Sequence, residues 1–164
     1  MKKTLVPADI VAVIDTREQR PLNLAPLRTI TRTLDCGDYS VAGLEHEIAI
    51  ERKSLPDLVA CVGRERERFD RNCKKMLSYH SRAIVVEASW SDVLSGQYRA
   101  KVSPEAVYGS LVGWVAMGIP IVMADNHEQA GRFVGRMLFI SARRRWRELA
   151  AFLESTGGQD EKKP

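Results

Sequence analysis

Apolar and polar positions follow two different periods along this chain, and each change of period marks an element. Residues 10–15 (IVAVID) are apolar and β-branched up to a terminal acid and pass into TREQRPLNLAP, the pattern of a buried strand that ends in a loop. Residues 29–34 (TITRTL) alternate apolar with polar or basic side chains, as a half-exposed strand does, and run into Cys36, Gly37 and Asp38. Residues 39–42 and 48–53 read as two more strands joined through a turn at Gly43, which predicts a hairpin-like or meandering front to the sheet. From Ser54 the period lengthens. Leu55, Leu58, Val59, Val62, Phe69, Cys73, Met76 and Leu77 recur at helical spacing, predicting helix capped by Ser54 and broken near Gly63. A strand at 83–87, a helix opened by Ser103, Pro104 and Glu105, and a strand at 119–124 follow. A long final helix then carries an apolar stripe from Ala130 through Val134, Leu138 and Trp146 to Leu153.

Three strands followed by alternating helices and strands predict an α/β domain: a mixed β-sheet flanked by α-helices, antiparallel at its front and crossed over by helices later. We place this domain at residues 1–155 and read 156–164, which are Gly-rich and charged, as a mobile tail. The chain has 164 residues, 45% of them hydrophobic, enough for one core without disulfides or a structural metal. Three cysteines without CxxC spacing fit a reducing compartment. Residues 106–124 carry no charge, but Gly118 and Pro120 divide the run into two buried-element lengths, so no membrane span is expected. The two lysines at the amino end precede an apolar stretch that Pro7 and Asp9 interrupt, so we read no signal peptide.

A formal net charge of +4 is modest, but its distribution is uneven. Residues 61–82 hold seven basic and three acidic side chains, and 126–164 hold eight and five, whereas 1–60 are slightly acidic. Arg64, Arg68, Arg71, Lys74 and Lys75 on the first of these segments are candidates for contact with a nucleic-acid backbone, with Arg143, Arg144, Arg145 and Arg147 on the second. The alternative is a solvated helix face, because several acids fall at i,i+4 spacing from the arginines.

The acidic first segment carries the chemistry. Asp38 follows Gly37 at a strand end, and Glu51, Arg52 and Lys53 close the next strand. Side chains alternate along a strand, so Glu51 and Lys53 share a face and Arg52 takes the other. If the strands pair, these carboxylates converge near the end of the first strand, where Asp15, Arg17 and Glu18 lie. Asp15, Asp38 and Glu51 are the expected ligands of a hard divalent cation such as Mg²⁺ or Mn²⁺, which takes phosphate oxygens and water in its remaining positions. Lys53 is placed to orient a water or to stabilise developing charge, the parts of a phosphodiester hydrolase. Gly-Asp, twelve residues and then Glu-x-Lys, with both acids at strand ends, is the pocket pattern of restriction-endonuclease-like nucleases.

The series DTRE (15–18), GDY (37–39), ERKS (51–54), Asp57-Leu58 and Arg68-Phe69 resembles the nuclease domain of xeroderma pigmentosum group F type structure-specific endonucleases, over about residues 10–153. The resemblance implies a restriction-endonuclease-like fold and metal-dependent cleavage of DNA that leaves a 5′ phosphate and a 3′ hydroxyl. It implies Asp38 and Glu51 as metal ligands, with Asp15 completing the acidic pocket. Arg17 and Lys53 serve the reaction, and Glu18 and Arg52 support them. It further implies branched or junction DNA as substrate, in repair or recombination. A homodimer through the C-terminal helix, or a heterodimer with a related protein, is implied as well, in the cytoplasm of a prokaryotic or phage-infected cell. Asn72 stands where longer members of that family carry glutamine. Two other readings are open: a non-catalytic DNA-binding or dimer-partner module of the same fold, and a small-molecule phosphate hydrolase. Catalytically dead members lose pocket acids that this chain keeps, and a small-molecule enzyme leaves the basic helices without a role.

Overall fold

The apolar, β-branched segments become six strands in the computed structural model, which describes residues 4–99 and 101–157. They are β1 Val11–Ile14, β2 Arg28–Thr31, β3 Tyr39–Val41, β4 Ile48–Ser54, β5 Ser81–Glu87 and β6 Ile121–Met123. One mixed sheet takes the order β2-β1-β3-β4-β5-β6. Five helices surround it: α1 Leu55–Val62, α2 Arg66–Met76, α3 Trp90–Ser95, α4 Pro104–Met117 and α5 His127–Gly157. β3 runs antiparallel to both β1 and β4, and β4, β5 and β6 are parallel, joined by helical crossovers.

The two faces of the sheet are covered by different elements. On one, Ala49, Ile84 and Val86 pack with Leu58 and Val59 of α1, Phe69 and Met76 of α2 and Leu111 and Trp114 of α4. On the other, Ile48, Ile50 and Val85 pack with Val134 and Leu138 of α5 and with Leu22, Leu24 and Leu27. The central strands are therefore buried on both sides, which is why they read as continuous apolar runs. α5 lies close on the loop before β2. A Cβ added at Gly131 would stand 2.7 Å from the Asn23 carbonyl oxygen, so only glycine admits that approach.

Several expectations need correction. The strand expected at 29–34 is β2, shorter, and it pairs parallel with β1 at the sheet edge. The front of the sheet is thus not a simple meander. Residues 15–27 bury three leucines under α5 instead of turning tightly, and a long crossover of this kind returns the chain parallel. The six-residue α3 was not expected, because so short a segment shows too few turns for periodicity to appear. α5 extends through Gly157, past the expected start of the tail at 156, and residues 158–164 of that tail lie outside the described residues. Ser54 does cap α1, its hydroxyl accepting the Asp57 amide at 3.3 Å, and residues 63–65 interrupt the helix as expected. The uncharged run at 106–124 divides into α4 and β6, and no helix among the described residues is long and apolar enough to cross a membrane.

Candidate active site

Pairing around β3 brings three strand ends together. The Asp15 amide donates to the Asp38 carbonyl at 2.9 Å, and the Asp38 amide donates to the Ile50 carbonyl at 2.8 Å. Gly37 makes this possible. Its φ is +75°, and a Cβ there would lie 2.9 Å from the Ile50 oxygen, so the residue before Asp38 must be left-handed and must lack a side chain. Tyr39 pairs with Ile50 across the antiparallel ladder, which sets Asp38 beside Glu51.

These two carboxylates open on a cavity of about 460 Å³. Asp38 Oδ2 accepts the Arg52 amide at 2.7 Å, and among the described residues Asp38 makes no ion pair. Burial, and then the charge of Glu51, push its carboxyl up to about 7. Glu51 is buried. Its Oε1 lies 2.6 Å from Lys53 Nζ, and its Oε2 accepts Asn72 Nδ2 at 3.1 Å. Lys53 is also set over the Phe69 ring, 4.9 Å from its centroid. Burial pulls the Lys53 ammonium down, but Glu51 and other neighbouring groups outweigh this, so its pKa is raised and it stays protonated.

Asp15 is engaged by Arg17 and by the loop before β3. Its Oδ1 accepts Arg17 Nε at 2.6 Å and the Arg17 amide at 2.9 Å, while Oδ2 accepts Arg17 Nη2 at 3.1 Å and the Leu34 amide at 2.6 Å. Burial raises the Asp15 carboxyl, and these donors together hold it below the usual aspartate value. Both oxygens are spent on fixing Arg17 and the start of the loop before β3. Asp15, Asp38 and Glu51 are accordingly not gathered into one ligand set, and among the described residues no cluster of three or more His, Cys, Asp or Glu could hold a metal ion. Asp38 and Glu51 remain as a pair. Two carboxylates with open space before them suit Mg²⁺ or Mn²⁺, which need one or two from the protein and fill the other positions with water and phosphate.

Arg52 faces the opposite side, as strand alternation requires. Its Nε and Nη2 bind the two Glu87 oxygens at 2.7 and 3.0 Å, and its Nη1 lies 3.4 Å from Glu18 Oε1. His127 Nδ1, at the start of α5, stands 2.6 Å from Glu87. Tyr39 Oη donates to Glu18 at 3.4 Å and accepts the Leu22 amide. Glu18 and Arg52 thus lie together on the face of the sheet opposite Glu51 and Lys53. Sequence reasoning missed Glu87 and His127, although an acid ending an apolar strand beside a basic strand end was the available signal.

The basic candidates divide. Arg68, Arg71 and Lys75 line the pocket with Arg17, whereas Arg64 lines a neighbouring cavity, and Lys74 is exposed and lines neither. Arg68 is paired with Glu65, and Lys75 Nζ donates to the Asp35 carbonyl at 2.6 Å. Asn72 reaches the pocket, where its Nδ2 donates to Glu51 and its Oδ1 accepts the Cys36 thiol at 3.5 Å. Cys36 is a buried packing residue whose thiol is pushed up to about 11 by burial and by Glu51. On α5, Arg144 and Arg145 are paired with Glu148, and Arg145 also with Glu47, which leaves that segment less free charge than its composition promised.

The family model described as the ERCC4 domain matches residues 14–137. Among solved structures, XPF from Aeropyrum pernix is similar with a TM-score of 0.66 at 20% identity, over 94% of this chain and 67% of that one. XPF from Aeropyrum pernix in complex with DNA gives a TM-score of 0.62 at 18% identity, over 82% of this chain and 66% of that one. This chain therefore spans about two thirds of the length of those structures, and the likeness establishes the shared, restriction-endonuclease-like fold. No curated protein matches the chain.

Proposed function

The chain belongs to the ERCC4 domain family, and from that premise we propose that it is a divalent-cation-dependent endonuclease that hydrolyses DNA phosphodiester bonds at branched or single-strand/double-strand junctions. The observation that carries this reading is the Asp38–Glu51 pair, open to a cavity that Arg17, Lys53, Arg68, Arg71 and Lys75 also line. Two carboxylates side by side before open space would together hold a hard divalent cation.

Asp38 and Glu51 would hold Mg²⁺ or Mn²⁺, which when bound polarises the scissile phosphate and lowers the pKa of water. The other side chains have their own tasks. Lys53, kept charged by Glu51, donates a hydrogen bond to the attacking water and offsets charge that builds on the phosphoryl oxygens. Arg17 spends Nε and Nη2 on Asp15 and Leu34, so its Nη1 is held toward a phosphate oxygen by a clamp that is already formed. Asn72 fixes Glu51 in one rotamer by its amide bond. Arg68, Arg71 and Lys75 give the flanking phosphates a positive wall with strong salt dependence. The products would be a 5′ phosphate and a 3′ hydroxyl. Ile140, Trp146, Leu149, Phe152 and Leu153 leave an exposed apolar stretch on α5, which supports pairing through the C-terminal helix with a second copy or a related chain.

The test is incubation of the purified protein with labelled single-stranded, duplex, flap and fork DNA, with and without Mg²⁺ or Mn²⁺. The expected result is cation-dependent cleavage that Asp38→Ala abolishes. Binding without cleavage on every substrate would instead identify a non-catalytic module.

A further inference from the structure

A second cavity, of about 690 Å³, lies between α1 and the segment that leads into α4. We propose that it takes an unpaired nucleotide of the strand being cut, the base against Leu55, Val59 and Tyr98 and its phosphates at Arg64, Arg99 and Lys101. This rests on the endonuclease reading and sharpens its substrate class: a strand with single-stranded nucleotides next to the scissile phosphate.

Charge is the first argument. Three cationic side chains line the cavity and no acidic one does, in a chain whose overall excess is only +4. Arg64 is extended into solvent, and its nearest acid, Glu65, is 3.9 Å away, too long for a hydrogen bond. The walls are the second. Val59 is buried, Leu55 and Tyr98 are partly so, and an apolar floor with an aromatic ring accepts the flat face of any base. Among the described residues the Tyr98 hydroxyl is also buried without a hydrogen-bond partner, an unmet polar group in the lining of this cavity.

Position is the third. Leu55 follows Lys53 by two residues, and Arg64 precedes Arg68 by four, so both ends of the cavity adjoin the catalytic pocket along the chain. α1 spans eight residues, about 12 Å at roughly 1.5 Å per residue. The cavity therefore lies along the helix that joins the end of β4 to the segment before α2. A base stacked and paired in duplex cannot enter a pocket, whereas an unpaired one enters without the cost of flipping. The cavity thereby gives the domain a means of preferring junctions through its own residues.

The experiment measures binding of the full chain, carrying Asp38→Asn to keep DNA uncut, to fluorescent junction oligonucleotides in which one abasic residue is moved through the unpaired strand. We expect one position in the unpaired strand where loss of the base weakens binding by about 5- to 100-fold. Ala60→Phe, which narrows the cavity, should weaken binding of the intact junction comparably and flatten that profile. Tyr98→Ala should do the same, and it decides the matter if Ala60→Phe lowers the melting temperature. A flat profile in the parent, or a profile that survives in the folded variants, overturns the proposal. If the unmodified chain cuts junction DNA but the abasic profile is flat, the cavity assignment alone fails. If no DNA is cut or bound under any divalent condition, the endonuclease reading fails and the cavity's role falls with it.

Discussion

The two faces of β4 at its carboxyl end hold similar residues and treat them in opposite ways. On the α5 face, Arg52, Glu87, Glu18 and His127 form a buried network in which the charges answer one another. Burial there raises the Glu87 carboxyl, and the bonds from Arg52 and His127 outweigh it, so the acid lies below its usual value. On the α2 face, Asp38 stands beside Glu51 without an ion pair of its own, and its carboxyl is pushed up to about 7. Both acids are held by the same sheet, on strands either side of β4. One face has been closed by its own side chains, and on the other Asp38 faces an open pocket. The difference separates structural from functional charge more sharply than the motif does, since Glu51-Arg52-Lys53 contributes to both faces.

The comparison breaks most visibly under substitution of the open face. Asp38→Asn or Glu51→Gln should cost at least about a thousandfold in DNA cleavage, while the melting temperature of Asp38→Asn, measured without divalent cation, holds steady or rises. The closed face should behave in reverse. Arg52→Met leaves Glu87 and Glu18 buried with less compensation, a loss of about 3 kcal/mol that should lower the melting temperature by about 10 °C, read by calorimetry. Lys53→Met should reduce cleavage about a hundredfold with a smaller change in DNA affinity, because the lysine is asked to act on the reacting atoms.

Strand alternation made the division of β4 legible in advance: Glu51 and Lys53 to one side, Arg52 to the other. Gly37-Asp38 was legible through its spacing, since Gly-Asp alone is a common turn and the Glu-x-Lys that follows after twelve residues gives it meaning. What each face met was not legible. Asp15 has the position of a third metal ligand in the sequence, yet Arg17, two residues on, folds back onto it and takes both oxygens. Glu87 and His127 are 35 and 75 residues from Arg52, and only the β4–β5 register and the start of α5 bring them to it. The parallel course of β2 was hidden for a similar reason: alternation reports which face a side chain takes and says nothing of strand direction.

A smaller effect separates the faces by pH. Asp38 retains its proton in the folded chain from the ordinary aspartate value, 3.8, up to about 7, where the unfolded chain has already released it. Its contribution to stability is therefore lost as pH rises through that window. Without divalent cation, Asp38→Asn should gain stability over the parent between pH 4 and 7. Glu87, held below its usual value, contributes above that value and loses its contribution as pH falls through the folded one. The deficit of Glu87→Gln should accordingly shrink on acidification. Melting curves of the two variants across this range should slope in opposite directions, and parallel slopes would erase the distinction.

The most direct test of the central claim, that the α2 face of β4 is built around a cation, is titration of Mn²⁺ into the DNA-free chain by calorimetry at pH 7.5. The account predicts one binding event that Asp38→Asn and Glu51→Gln each remove and that Glu87→Gln, still folded at the temperature used, retains. Binding that survives Asp38→Asn, or that disappears with Glu87→Gln, would contradict it.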